Sequence, residues 1–243
     1  ANEGRLLGRG GSRRHSARRS AMAAAPGGDD VFLSRHGARI DKEDYGWLAK
    51  AGHRRRDDPH LSQGGIVGAN ELAARMAEIH AATPIAHIVS SPFVRCVQTA
   101  QPVAEALGLP IKIEPGICEV LNIFPPGFLD ATDLSRDFPR VDLEYEPAVR
   151  REQLTAEYGD GPAARRAAAA ATEVRRKLEG RILFIGHGAS CLGIAEAFGA
   201  SDYIGYTSLT RFVRGEGGGW RVEGRFGDVS HLSDQRTSLA SAF

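Results

Sequence analysis

A chain of 243 residues, 42% of them hydrophobic, is long enough to bury the core of one sizeable domain or of two small ones at most. No apolar run approaches the ~20 residues that span a bilayer, so the sequence reads as that of a soluble protein without a membrane partner. The formal net charge of +1 hides an asymmetry: six arginines against Glu3 make residues 1–28 strongly basic and leave the rest mildly acidic. Overall charge is therefore no argument for nucleic-acid binding.

Residues 1–28, rich in Arg, Gly, Ala and Ser, read as a disordered basic leader that takes no part in the fold. Two other readings of it are a transit peptide and a basic arm for an anionic surface, and Met22 would make a natural start. Strand-like and helix-like pieces then alternate. The strands are "DVFLS" (30–34), "AHIVSS" (86–91), "IKIE" (111–114) and "RILFIG" (181–186). Ser62 is placed to cap a helix whose Ile66, Ala69, Ala73, Met76 and Ile79 recur at helical spacing. Ser91 and Pro92 read as the N-cap and first residue of the next helix, which Gly108 and Pro110 stop. Residues 161–180 are helical by propensity, and 189–199, apolar nearly all round, read as a buried helix. "TSLTRFVR" (207–214) and "GWRVEGRF" (219–226) flank "GEGG" as an antiparallel hairpin.

This alternation predicts an α/β fold: a three-layer α/β/α sandwich around a mostly parallel central sheet. Residues 29–227 make up that domain, with an insertion at about 117–160 read as a cap over a site. The insertion is long and Pro-rich, and Phe124, Phe128, Phe138 and Tyr145 argue for order. They suggest a wall for an apolar or aromatic substrate. The polar tail, 228–243, is expected to be flexible. Cys96, Cys118 and Cys191 are scattered with no C-x-x-C pair, which points to free thiols and a cytoplasmic protein, or an organellar one if the leader is a transit segment.

Ligands of an open α/β sheet sit at the carboxyl ends of its parallel strands. The first strand ends in Arg35-His36-Gly37 with Arg39 close behind, and the second is followed by Arg95. The third leads to Glu119, and the fourth ends in Gly186-His187-Gly188. Arginine forks and helix N-termini at one sheet edge suit a phosphoryl group. His36 is the candidate nucleophile, neutral because cations flank it, while Arg35, Arg39, Arg95 and His187 hold phosphate oxygens. Glu119 is the candidate proton donor, its pKa expected to be raised by burial. Cys96 and the histidines at 53, 60, 80, 87 and 231 read as packing or surface residues. A metal held by His36, Glu119 and His187 is disfavoured by the surrounding arginines, so no metal and no cofactor are expected.

"SRHGARID", "VSSPFVRCVQTA", "EPGICEV" and "FIGHGAS" together resemble the four motifs of the histidine phosphatase (phosphoglycerate mutase-like) superfamily, over roughly residues 30–226. The resemblance implies a metal-independent phosphatase with His36 as the phosphorylated nucleophile. It also implies Arg35, Arg95 and His187 as the phosphate pocket and Glu119 as the donor. "RHGARID", Trp47, "RCVQTA" and "EPG" are most similar to the branch of ecdysteroid-phosphate phosphatases and suppressor-of-T-cell-receptor-signalling proteins. There the arginine matching Arg39 also contacts phosphate. Ala38 and Val120 depart from that branch, which has an acid and an aromatic there, and both are expected near the substrate entrance. Two rival functions are a phosphoglycerate-type mutase, whose usual pattern after R-H-G is missing, and a catalytically weak module that binds a phosphorylated ligand. The expected partner is a phosphorylated small molecule or a phosphotyrosine-like group, and a homodimer is the candidate assembly.

Overall fold

The computed structural model describes residues 28–50 and 57–240, together with Ala1. Nearly all of the expected leader, and His53, lie outside that range. In chain order the elements begin with β1 (Val31–Arg35), α1 (Ile40–Glu43), α2 (Trp47–Lys50), α3 (Gln63–Ala82), β2 (Ile85–Ser90), α4 (Val94–Leu107) and β3 (Ile111–Ile113). After them come α5 (Ala131–Asp137), α6 (Asp160–Lys177), β4 (Arg181–Gly186), α7 (Gly188–Ala197), β5 (Leu209–Arg214), β6 (Trp220–Asp228) and α8 (Gln235–Ala240). One six-stranded sheet runs in the order β3-β2-β4-β1-β5-β6. Its first four strands are parallel, and the β5–β6 hairpin is antiparallel.

β1 and β4 are buried along nearly their whole length because helices cover both faces of the sheet. Successive side chains point to opposite sides, and the two cores show it. Phe32, Ile88, Leu183 and Ile185 face α3 and α4. Val31, Leu33, Val89, Ile182 and Phe184 face α6 and α7. The sandwich is therefore the α/β architecture that the alternation predicts. Register then sets the site: β1 and β4 pair from Val31↔Ile182 to Arg35↔Gly186, so the two strands end side by side. The amide of His36 continues the ladder by donating to the Gly186 carbonyl (3.0 Å), and Ser91 donates to Ile185 (3.1 Å) from the end of β2.

Several local expectations need correction. Ser62 does cap α3, accepting from the Gly65 amide, but the helix buries Gly65, Ala69, Leu72, Ala73 and Met76 while Ile66 faces solvent. α4 starts at Val94 with Phe93 as N-cap, not at Ser91 and Pro92. The Val94 amide is capped by Asp58 Oδ1 (2.8 Å), a group 36 residues upstream that helix-start rules cannot see. Within the stretch expected to be a flexible tail, Val229, Leu232 and Ser238 are buried and Ser238 Oγ donates to the Tyr206 carbonyl (2.6 Å). The 115–160 stretch carries its own small core of Cys118, Leu121, Phe128 and Leu154 against Phe93.

α6 and α7 approach closely because α6 presents Ala163, Ala164, Ala167, Ala170 and Ala171. A Cβ on Gly193 would come within 1.9 Å of the Ala164 carbonyl oxygen, so no side chain fits there. Gly193→Ala is expected to cost about 3 kcal/mol by overpacking. Gly217→Ala, in open space, is expected to leave the thermal midpoint unchanged. Equal midpoints for the two variants would contradict this account.

Candidate active site

Five of the six residues singled out meet at the carboxyl ends of β1, β2 and β4. His36 and His187 are fully buried, and Arg95 is 1% exposed. The imidazole rings stand edge to face with centroids 5.2 Å apart. Arg95 lies among the others: its Nε donates to His36 Nε2 (3.3 Å), and its Nη2 donates to His187 Nδ1 (3.1 Å) and Glu119 Oε2 (3.3 Å). On the other side its Nη1 lies 3.7 Å from buried Asp58. Phe93 supplies an aromatic face 4.6 Å away.

These contacts fix both tautomers. A carbonyl only accepts, so His36 Nδ1, 2.7 Å from the Gly37 oxygen, carries the proton and Nε2 keeps its lone pair. A guanidinium only donates, so neutral His187 accepts at Nδ1 and donates from Nε2 to Ser91 Oγ (2.7 Å). Burial, reinforced by Arg95, His187 and Arg35, holds His36 well below the usual imidazole range. Burial and Arg95 likewise lower His187 to about 4. The expectation of a neutral His36 therefore stands.

The expectation for Glu119 does not. Burial pushes its carboxyl up, but His187, Arg95 and His36 more than offset that, and it lies well below the usual carboxylate range. The free site thus holds a carboxylate, not a carboxylic acid. Its Oε1 accepts from the Val120 amide (3.1 Å), which turns Oε2 toward Arg95 and His187.

Arg35 crosses the Tyr206 ring at 4.4 Å and donates to Tyr203 Oη (2.9 Å) and the Ile204 carbonyl (3.3 Å). Its buried Nε has no hydrogen-bond partner. Tyr206 also lies against His36, centroids 5.4 Å apart, so one ring orients both neighbours. Arg39 is different. It forms a two-pronged pair with Asp41 (2.8 and 2.5 Å). The structure does not place it against the other five.

His36, Glu119 and His187 bring ligand atoms within 4.8 Å of one another, the geometry of a metal site. Arg95 donates to all three across that gap, so a cation there would meet a fixed positive charge. The donor set fits an anion instead. Asp58, Thr99, Ser190 and Tyr206 escaped the sequence reading. Thr99 Oγ1 accepts the Gly37 amide (3.0 Å) and donates to the Arg95 carbonyl (2.7 Å), tying β1 to α4. Ser190 Oγ accepts the His187 amide (2.8 Å). Thr99 stands inside the "QTA" string, and the others carry no local signal. Ala38 is 7% exposed beneath the start of α3. Of the aromatic residues expected to wall a substrate, Phe128 meets Phe93 edge to face and Phe138 packs toward the α3–α4 core. Tyr145 donates to Glu114, and Phe124 is exposed.

The model of the histidine phosphatase superfamily (branch 1) matches residues 31–224. The chain belongs to this superfamily. Among curated relatives, it is 29% identical over 157 residues to an ecdysteroid-phosphate phosphatase of Drosophila melanogaster, covering 52% of this chain and 21% of that protein. It is 30% identical over 192 residues to the Bombyx mori protein of the same name, covering 65% and 28%. The chain thus spans little more than a quarter of the relatives' length at most. In fold it is similar to the B. mori ecdysone phosphate phosphatase in complex with tungstate, with TM-score 0.68, 24% identity and coverage of 84% and 95%. It is also similar to an Entamoeba histolytica phosphoserine phosphatase, with TM-score 0.55, 19% identity and coverage of 84% and 98%. The motif residues of this chain stand at the carboxyl edge of its parallel strands.

Neutral buried histidines give a pH signature. The unfolded chain binds protons below about pH 6.5, the ordinary imidazole value, and the folded His187 refuses them until about 4. Stability is therefore full above 6.5 and falls as the pH drops toward 4. At pH 5 His187 alone accounts for about 2 kcal/mol of that loss. Urea unfolding at pH 7 and pH 5 checks it, and His187→Gln is expected to reduce the difference by about 2 kcal/mol.

Proposed function

We propose that the protein is a phosphomonoester hydrolase that works through a phosphohistidine on His36 and needs no metal. The observation that carries this reading is the pinned tautomer. The Gly37 carbonyl takes the proton of His36 Nδ1, so Nε2 presents a lone pair to a site surrounded by arginines. The names of its curated relatives point the same way.

In the first step Nε2 attacks phosphorus and the bond to the leaving oxygen breaks. Arg95 moves its donors from His36 to the phosphoryl oxygens, and Arg35 offers its free Nε, offsetting negative charge in a dry site. Arg39 supplies a further contact once it swings from Asp41. His187 remains neutral and donates to Ser91, keeping its ring in place.

Glu119 gives the leaving alkoxide its proton. In the free site it is ionised, so the proton comes with a monoanionic phosphate ester that transfers it to the carboxylate; the dianion left beside Glu119 offsets the cations that depress it, and its pKa rises. In the second step Glu119 takes a proton from water, water attacks phosphorus, and the nitrogen–phosphorus bond breaks. The products are an alcohol and inorganic phosphate, and His36 is regenerated.

p-Nitrophenyl phosphate hydrolysis in EDTA at pH 5–7 is the direct test. Turnover is expected in the unmodified protein and absent in His36→Ala; no turnover at any pH overturns the proposal. Exchange of 3- and 2-phosphoglycerate with 2,3-bisphosphoglycerate is expected to be absent. Glu119→Gln is expected to lower kcat on an alkyl phosphate by about 10²-fold or more, the usual worth of a general acid. With p-nitrophenolate, a leaving group that needs no proton, the loss should be much smaller.

A further inference from the structure

Glu119 projects from an irregular stretch, 114–121, that contains a single 3-10 turn, Pro115–Ile117. Such a stretch has few hydrogen bonds of its own to fix a side chain at the precision catalysis needs. Here the fixing comes from outside. Arg166, on α6, spends its donors on this segment: Nη1 on the carbonyls of Gly116 (2.8 Å) and Cys118 (3.3 Å), and Nη2 on the carbonyl of Glu119 itself (3.0 Å). Its Nε and Nη2 also grip Glu157 through both carboxylate oxygens (2.8 and 2.7 Å). Glu157 in turn accepts from the Leu121 amide through Oε2 (3.4 Å) and donates its own amide to the Leu121 carbonyl (3.0 Å).

Arg166 and Glu157 are 12% and 9% exposed at their side chains, so the pair is largely shielded from water. Their charges cancel one another, which separates Arg166 from the cations that face the phosphoryl group. We propose that Arg166 is a positioning residue for the acid–base step: with Glu157 it locks the main chain at 116–121 so that the Glu119 carboxylate meets the leaving oxygen. This role rests on the phosphatase reading. A lysine is only a partial substitute, because a point ammonium cannot hold three carbonyls and a bidentate carboxylate together.

The test separates positioning from general stability by leaving-group chemistry. Unmodified protein, Arg166→Gln, Arg166→Lys and Glu157→Gln are assayed on p-nitrophenyl phosphate and on β-glycerophosphate, well below each variant's thermal midpoint. Arg166→Gln is expected to lose about 10²-fold in kcat on β-glycerophosphate and less than about threefold on p-nitrophenyl phosphate, with KM little changed. Arg166→Lys should show the same pattern with a smaller loss. Should Arg166→Gln fail to fold, Glu157→Gln makes the same comparison. Equal losses on the two substrates, or none on β-glycerophosphate, overturn the positioning role. An unmodified protein that turns over neither substrate overturns the phosphatase reading, and the positioning role with it.

Discussion

A guanidinium 1% exposed to solvent is the constraint around which this protein is built. Burying an isolated cation costs far more than a fold can spare, so Arg95 must find partners. It finds two carboxylates, Asp58 and Glu119, two imidazole lone pairs, and the face of Phe93. Each partner is then committed. The imidazoles must stay neutral to accept, the Gly37 carbonyl must accept the hydrogen bond of His36 Nδ1–H, and Asp58 also caps α4. The pairing of β1 with β4 matters because it delivers the two histidines to one guanidinium.

That constraint explains which parts of the molecule could be read from the chain. The central strands are continuous apolar runs because helices cover both faces, and "RILFIG" falls on β4 residue for residue. His36, Arg95, Glu119 and His187 follow such runs or the turns after them, so strand ends and site residues are legible together. The pairing of Arg39 with Asp41 in the free site was not, because it depends on local geometry. Asp58 was not either: it sits in "DDPH" without a recognisable motif and acts across 36 residues.

The protonation state of Glu119 illustrates a deeper limit. Burial can be guessed from sequence, and alone it raises a carboxyl pKa. The sign of the real shift depends on how many positive groups lie within a few ångströms and from which direction, and only the assembled fold determines that. The same holds for the aromatic residues of 115–160. Their presence correctly signals order, but whether they line a ligand or each other depends on which way the backbone turns. Here Phe128 joins Phe93, and Tyr145 donates to Glu114, a buried carboxylate that also accepts the amides of Gly116, Ala148 and Val149.

The stretch carrying Glu119 is tied down at separate points: Glu114 at one end, Arg166 and Glu157 in the middle, and the Gly127 amide on Asp57 farther on. Between Leu121 and Gly127 the chain runs through four exposed residues, 122–125. An insertion or a new side chain there would be buffered from the acid by anchors on either side, as exposed turns tolerate change more readily than tied backbone. The exposed turn and the placement of Glu119 are thus mechanically separate: the turn can be remodelled while the carboxylate stays where it is.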